Sequence, residues 1–217
     1  MKKSIVLFGD SNTYGYTPVF DGRFDEEIRW PCLLQKHLGD AFLVNAEGLS
    51  GRTCAFEDPF TEGLSGMSMI TPLLNTHSPV SVLVIMLGTN DVKERFSSNA
   101  ANIALGLQRL LQKAIATPAW QGAPKILVIA PPPMLKNYQS LLYGASMGDG
   151  CCKKCEELPA AYAEMAQKYG CAFLDAGSIP GVVMNELDGM HLTEEAHALL
   201  AKAVADKLLK EADFFGI

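Results

Sequence analysis

Nothing in this chain constrains its fold more than a short apolar run that stops dead at a glycine and then recurs. Residues 4–8 read Ser-Ile-Val-Leu-Phe and break into Gly9-Asp10-Ser11-Asn12-Thr13-Tyr14-Gly15. A continuous apolar run of this length with β-branched members reads as a buried parallel strand, and Gly9 punctuates its end. Val80 to Leu87 repeats the pattern before Gly88-Thr89-Asn90-Asp91, and Lys125 to Ala130 repeats it before Pro131-Pro132-Pro133. Ala41 to Ala46 and Ala172 to Leu174 complete the set of predicted strands.

Between these runs the apolar period changes to that of a helix. Positions 30, 33, 34, 37 and 38 predict a crossover helix that stops at Gly39, with Pro31 tolerated in its first turn. Met67 to Thr76 predicts a second helix. Asn99 to Thr117 is amphipathic, begins at an Asn and ends before Pro118. Cys151 to Tyr169 predicts a helix interrupted or kinked at Pro159, and Glu194 to Lys210 predicts the last. Strands that alternate with helices give a parallel sheet covered on both faces, a three-layer α/β/α sandwich. Residues 52–66 and 134–150 lack periodicity and are long for connections. A lid, a binding loop or an oligomer contact is expected of 52–66, with an inert insertion as the alternative, and 134–150 is expected as a second long loop.

At 217 residues the chain fits one domain, 1–217, and no second core is needed. It is 48% hydrophobic and 19% charged, which is enough apolar surface to fold without a disordered tail. The net charge of −6 is spread along the chain with no basic stripe, so nucleic acid is not an expected partner. The apolar stretch after Met1-Lys2-Lys3 ends at Phe8, shorter than the ~7–15 residues of an export core, so a cytoplasmic protein is expected. No run approaches the ~18 apolar residues of a membrane span, and no membrane partner is expected. Six cysteines are too few for a disulfide scaffold of this length. The cluster Cys151-Cys152-Lys153-Lys154-Cys155 admits a metal or redox reading. Plain thiols on a helix are the favoured one, because four ligands in spaced pairs are missing, and no metal is expected.

The turn after the first strand places Ser11 past the carboxyl end of a strand, where crevices form in open α/β sheets. Asp10, Ser11 and Thr13 either cap a following helix or present Ser11 as a nucleophile. Leu187-Asp188-Gly189-Met190-His191 supplies the other half of an acyl-transfer site. Asp188 stands three residues before His191 in a glycine-containing turn, so its carboxylate can reach Nδ1 and leave Nε2 facing a serine. The alternative is a turn aspartate beside a surface histidine. Neither His37, His77 nor His197 has a loop-borne acid beside it at a strand end. Oxyanion donors complete the chemistry, each worth ~10²–10³ in rate. The Ser11 N–H, the Gly51 N–H and the Asn90 amide are the candidates, each a few residues beyond a strand. Gly144-Ala145-Ser146-Met147-Gly148 matches the G-x-S-x-G nucleophile elbow but lacks the strand that should precede it, so Ser146 is set aside. Tyr16, Lys93 and Met190 neighbour these groups in sequence. With Tyr138 and Leu142 of the long loop, they are the expected substrate-binding residues of a narrow acyl pocket, core or surface positions being the alternative.

Gly9-Asp10-Ser11-Asn12-Thr13, Gly51, Gly88-Thr89-Asn90-Asp91 and Asp188-Gly189-Met190-His191 resemble, in order, the four blocks of the SGNH (GDSL-type) hydrolases. The arylesterase/acyltransferase branch is the most similar, through Phe8 to Pro18, Arg29-Trp30, Glu47 to Thr53, Ile85 to Asp91 and Asp175 to Ser178. Tyr14 and Tyr16 stand where that branch tends to carry tryptophans. The resemblance implies a flavodoxin-like parallel sheet of about five strands, a Ser11-Asp188-His191 triad, an oxyanion hole of Ser11, Gly51 and Asn90, and no cofactor. It implies a homo-oligomeric serine esterase acting on small acyl esters, acetyl foremost, with acyltransferase or perhydrolase activity in reach. A carbohydrate O-deacetylase is the alternative enzyme. A flavodoxin-like binding protein without catalysis is the alternative of another class.

Overall fold

The computed structural model describes residues 2–217. The first apolar run forms β1, Lys3–Gly9, and the turn after it closes at once into the four-residue helix α1, Ser11–Tyr14. A two-rung hairpin follows, β2 at Tyr16–Thr17 and β3 at Gly22–Arg23, which the sequence pattern did not reveal. Then come α2, Trp30–Leu38; β4, Phe42–Gly48; α3, Gly66–Thr76; β5, Val82–Met86; and α4, Ala100–Ala116. The second half holds β6, Ile126–Ala130; α5, Gly144–Met147; α6, Cys151–Lys168; β7, Ala172–Asp175; α7, Glu194–Lys210; and α8, Ala212–Phe215.

β1, β4, β5, β6 and β7 form one parallel sheet in the order β4-β1-β5-β6-β7. Counted among themselves these strands run 2-1-3-4-5, the flavodoxin-like order, and the chain reverses its direction of growth between β1 and β5. Successive residues of β1 face opposite layers, as the period of a strand requires. Ile5 and Leu7 join the core made with Trp30 and Leu34 of α2 and Leu200 and Val204 of α7. Val6 and Phe8 join the other core, with Ile70 of α3, Leu107 of α4 and Leu158 and Tyr162 of α6. The three-layer α/β fold is therefore built from two separate cores on one sheet.

Side-chain caps fix the long helices where the sequence places them. The Asn99 side chain accepts the Asn102 N–H at the start of α4, and Thr193 accepts the Ala196 N–H at the start of α7. Two expectations are corrected. Of the interruption or kink expected at Pro159, the interruption is absent: α6 runs unbroken for 18 residues, with Leu158 and Tyr162 on either side of the proline buried in the core. The missing N–H costs one bond in a helix held mainly by packing. The strand expected to end at Ala46 continues to Gly48, whose partner is Gly9. Gly48 is required there, since a Cβ would lie 2.1 Å from the Tyr14 N of α1.

Among the described residues no helix is long and apolar enough to cross a membrane.

Candidate active site

Asp10, not Ser11, caps α1: its Oδ1 accepts the Asn12 N–H at 2.9 Å. The capping and nucleophile readings of this turn are therefore compatible, and the Ser11 hydroxyl is left for other work. His191 Nε2 lies 2.8 Å from Ser11 Oγ, and His191 Nδ1 lies 2.6 Å from Asp188 Oδ2. The other Asp188 oxygen accepts the Met190 N–H at 2.9 Å and the His191 N–H at 3.1 Å. Burial by itself would push the Asp188 carboxyl up. The bond and charge of His191 together with the two backbone donors outweigh it and hold the group below its usual range. An ionised Asp188 accepts from Nδ1–H, which leaves Nε2 as the acceptor for the serine proton.

Ser11 and His191 are 180 residues apart, and Asn12 brings them together. Its Nδ2 donates to the Met190 carbonyl at 3.1 Å and its Oδ1 accepts the Leu192 N–H at 2.9 Å, so one amide grips the backbone on both sides of His191. Sequence reasoning missed this positioning role. The available signal was an asparagine, which carries donor and acceptor together, directly after the serine.

The Gly51 loop is clipped to the end of β1. Arg52 Nη1 donates to the Gly9 carbonyl at 2.9 Å and also to the Glu47 carbonyl, and its guanidinium lies over the Phe8 ring. Gly51 has φ +88°, and a Cβ there would meet Leu64 Cδ1 at 2.9 Å. Asn90 Nδ2 donates to the Arg52 carbonyl at 3.1 Å, which fixes the amide beside that loop with its second hydrogen unassigned. Behind it, the Asp91 carboxylate accepts the Cys54 N–H at 2.9 and 3.0 Å. Burial, with the nearby Asp10 charge, pushes Asp91 up to about 7, and burial pushes Asp10 up to about 6.

Ser11, Gly51, Asn90 and His191 line one cleft of about 380 Å³. Of the residues expected to wall it, Tyr16, Lys93 and Met190 do so. Tyr138 and Leu142 do not. Tyr138 turns inward, where its hydroxyl donates to the Gly148 carbonyl and accepts the Cys151 N–H, and Leu142 points to solvent at 48% exposure. The long loop contributes Tyr143, Ser146 and Met147 instead, and Asp21, Ser50 and Thr89 also reach the cleft. The Ser146 hydroxyl donates to the Tyr143 carbonyl at 2.7 Å, so this serine is occupied within its own turn. Lys93 Nζ stands 3.6 Å from the buried Asp58 carboxylate, and burial lowers its pKa. Residues 52–66 are thus anchored beside the cleft, Phe56 also stacking on Phe96.

All six cysteines carry free thiols, and Cys151 and Cys155 are buried in the core. Among the described residues no three His, Cys, Asp or Glu side chains gather to hold a metal. His77, which has no acid in its own turn, is bonded to Glu47 at 2.6 Å. His197 accepts the Trp30 N–H, and burial lowers it to about 3.

A serine, a histidine and an aspartate joined by hydrogen bonds, on loops at the carboxyl edge of a parallel sheet, define an α/β serine hydrolase site. The chain belongs to the GDSL-like lipase/acylhydrolase family, whose model matches residues 7–199, and it is a carboxylic ester hydrolase with the SGNH hydrolase fold. Among solved structures it is similar to the native M. smegmatis aryl esterase, at 35% identity over 96% of this chain and 99% of that one, with a TM-score of 0.86. It is similar to Est24, a carbohydrate acetylesterase from Sinorhizobium meliloti, at 33% identity over 97% and 100% of the two chains, with a TM-score of 0.86. A carbohydrate acetylesterase family member from the same organism aligns at 32% identity over 99% and 100%, with a TM-score of 0.88. No protein of curated function matches the chain.

Proposed function

We propose that this protein is an intracellular serine esterase that cleaves small acyl esters, acetyl foremost, through a covalent acyl-enzyme. The observation that carries the reading is the unbroken chain Ser11–His191–Asp188, with contacts of 2.8 and 2.6 Å. Ser11 Oγ attacks the ester carbonyl carbon while His191 Nε2 takes its proton, and Asp188 stabilises the imidazolium. The Ser11 N–H, Gly51 N–H and Asn90 amide hold the oxyanion. His191 returns the proton to the departing alcohol oxygen and the C–O bond breaks. Water then releases the acid; an alcohol in its place gives acyl transfer, and hydrogen peroxide gives a peracid. Lys93 and Met190 wall the space around the acyl group, which favours short chains.

Replacing Ser11 by Ala is expected to lower turnover of 4-nitrophenyl acetate by ~10⁶, the loss typical of a serine hydrolase without its nucleophile. A fluorophosphonate should label the unaltered protein at Ser11 alone. Normal turnover in Ser11→Ala would end this reading, and butyrate esters reacting faster than acetate would end the acetyl preference.

Similarity to two carbohydrate acetylesterases favours a second reading, removal of acetyl groups from a sugar by the same chemistry. Acetate release from acetylated xylooligosaccharides, set against aryl acetates, separates the two. A binding protein without catalysis would leave the hydrogen-bonded chain of Ser11, His191 and Asp188 without a purpose.

A further inference from the structure

Three groups at the solvent side of the cleft are bonded in a way that the reaction above does not use. The Tyr16 hydroxyl donates to Asp21 Oδ1 at 2.8 Å and lies 2.7 Å from the Tyr143 hydroxyl. A phenol has one proton, so with that of Tyr16 given to the carboxylate, Tyr143 is the donor of the second bond. The bonds therefore run in one direction, from Tyr143 through Tyr16 to Asp21. They also span the cleft. Tyr16 and Asp21 belong to the β2–β3 hairpin, whereas Tyr143 belongs to the segment between β6 and α5, and all three line the cleft. Asp21 has φ +48° and Tyr143 has φ +65°, left-handed backbone that is uncommon for residues other than glycine. Both ends of the bonded chain are thus held in unfavourable conformations at the point where they meet the cleft.

The Tyr16 ring packs against the His191 imidazole, with centroids 4.6 Å apart and planes at 57°. His191 Nε2 hands its proton to the oxygen of the departing alcohol, so the alcohol leaves on the imidazole side. An acceptor arrives on that side too. In the reaction proposed above the acyl oxygen goes to the Ser11, Gly51 and Asn90 donors. We propose that Tyr143, Tyr16 and Asp21 form a clasp across the mouth of the cleft that limits the size of the alcohol released or accepted there, and not the length of the acyl chain. The proposal rests on the serine esterase reading and adds to it which half of the ester is selected, and by which side chains.

The test holds the acyl group constant and varies the alcohol. Tyr143→Phe removes one bond of the clasp and Asp21→Ala removes the other. In each, kcat/KM for 2-naphthyl acetate relative to ethyl acetate is expected to rise, roughly fivefold for Tyr143→Phe, the size of one neutral hydrogen bond, and at least as much for Asp21→Ala, whose bond is to a carboxylate. The double variant should add little, since both bonds belong to one chain. Asp21→Asn keeps an acceptor oxygen and should restore the original ratio, which a merely structural defect would not do. The ratio for 4-nitrophenyl butyrate over acetate should stay constant throughout. Alcohol ratios within twofold of the unaltered protein in both single variants, or a shift in the acyl ratio instead, would overturn the clasp. If those ratios were unchanged while Ser11→Ala was inactive, the clasp would fall and the serine reading would stand. Activity retained in Ser11→Ala would remove both.

Discussion

Asp10 has two carboxylate oxygens with different fates. One caps α1, and the other is buried with no hydrogen-bond partner among the described residues. Burial therefore pushes the group from 3.8 up to about 6, against the pull of the Asn12 N–H and the charges of His191, Arg52 and Lys93. A carboxyl that binds its proton more tightly folded than unfolded contributes stability that is full below about pH 4 and lost as the pH climbs through about 6. Asp10→Asn keeps the capping oxygen and never ionises. Its Tm relative to the unaltered protein should accordingly rise between about pH 4 and about pH 8, as thermal melts across that window would show. A Tm difference that does not move with pH would mean that Asp10 is not perturbed by its burial. At this scale the sequence is a partial guide. Asp188 and His191 are legible because they stand three positions apart in one turn, whereas the shifted carboxyl of Asp10 depends on its burial and on the charges that His191, Arg52 and Lys93 bring from elsewhere.

At the scale of elements, periodicity identifies α4 and α7 nearly to the residue, since caps and amphipathic spacing agree there. On α4, Leu107 is fully buried in the core while Leu105, two positions earlier, is 54% exposed. Leu107→Ala is expected to cost about 2–5 kcal/mol in urea unfolding and Leu105→Ala less than about 0.5 kcal/mol, which reads the buried face of the helix directly. Equal effects would place the helix in a different rotation on the sheet. The segment 134–150 shows the opposite case. Its turn at Tyr138–Ser140 and its short helix α5 have no periodic signal, because they are held by contacts such as the Tyr138 hydroxyl on Gly148 rather than by local pattern. That is why the sequence offers Leu142 for the pocket where the structure places Tyr143.

At the scale of the molecule, the rim of the cleft carries exposed apolar side chains. Phe20 is 60% exposed beside Asp21, and Phe60 is 77% exposed in a hollow that shares Ser146 and Met147 with the cleft. A contiguous apolar patch marks a surface that another molecule covers, and these two phenylalanines are side chains that a contact at this rim would bury. We propose that copies of this chain associate through that rim. Light scattering should then give a mass that is a multiple of 23.4 kDa, and Phe20→Ser with Phe60→Ser should reduce it toward one chain. A single-chain mass for the unaltered protein would remove the proposal.

By itself the amino-acid order determined the alternation of strand and helix, the turn that offers Ser11, and the pairing of Asp188 with His191. Each of these is settled by contacts a few residues apart. Only the tertiary structure decided that Asn12 grips the chain around His191, that Asn90 is aligned through Arg52, and that Tyr16 joins Asp21 to Tyr143 across the cleft. Those contacts join segments brought together by the sheet order β4-β1-β5-β6-β7, and no local pattern encodes which side chain of a loop will face inward once the two cores have closed on that sheet.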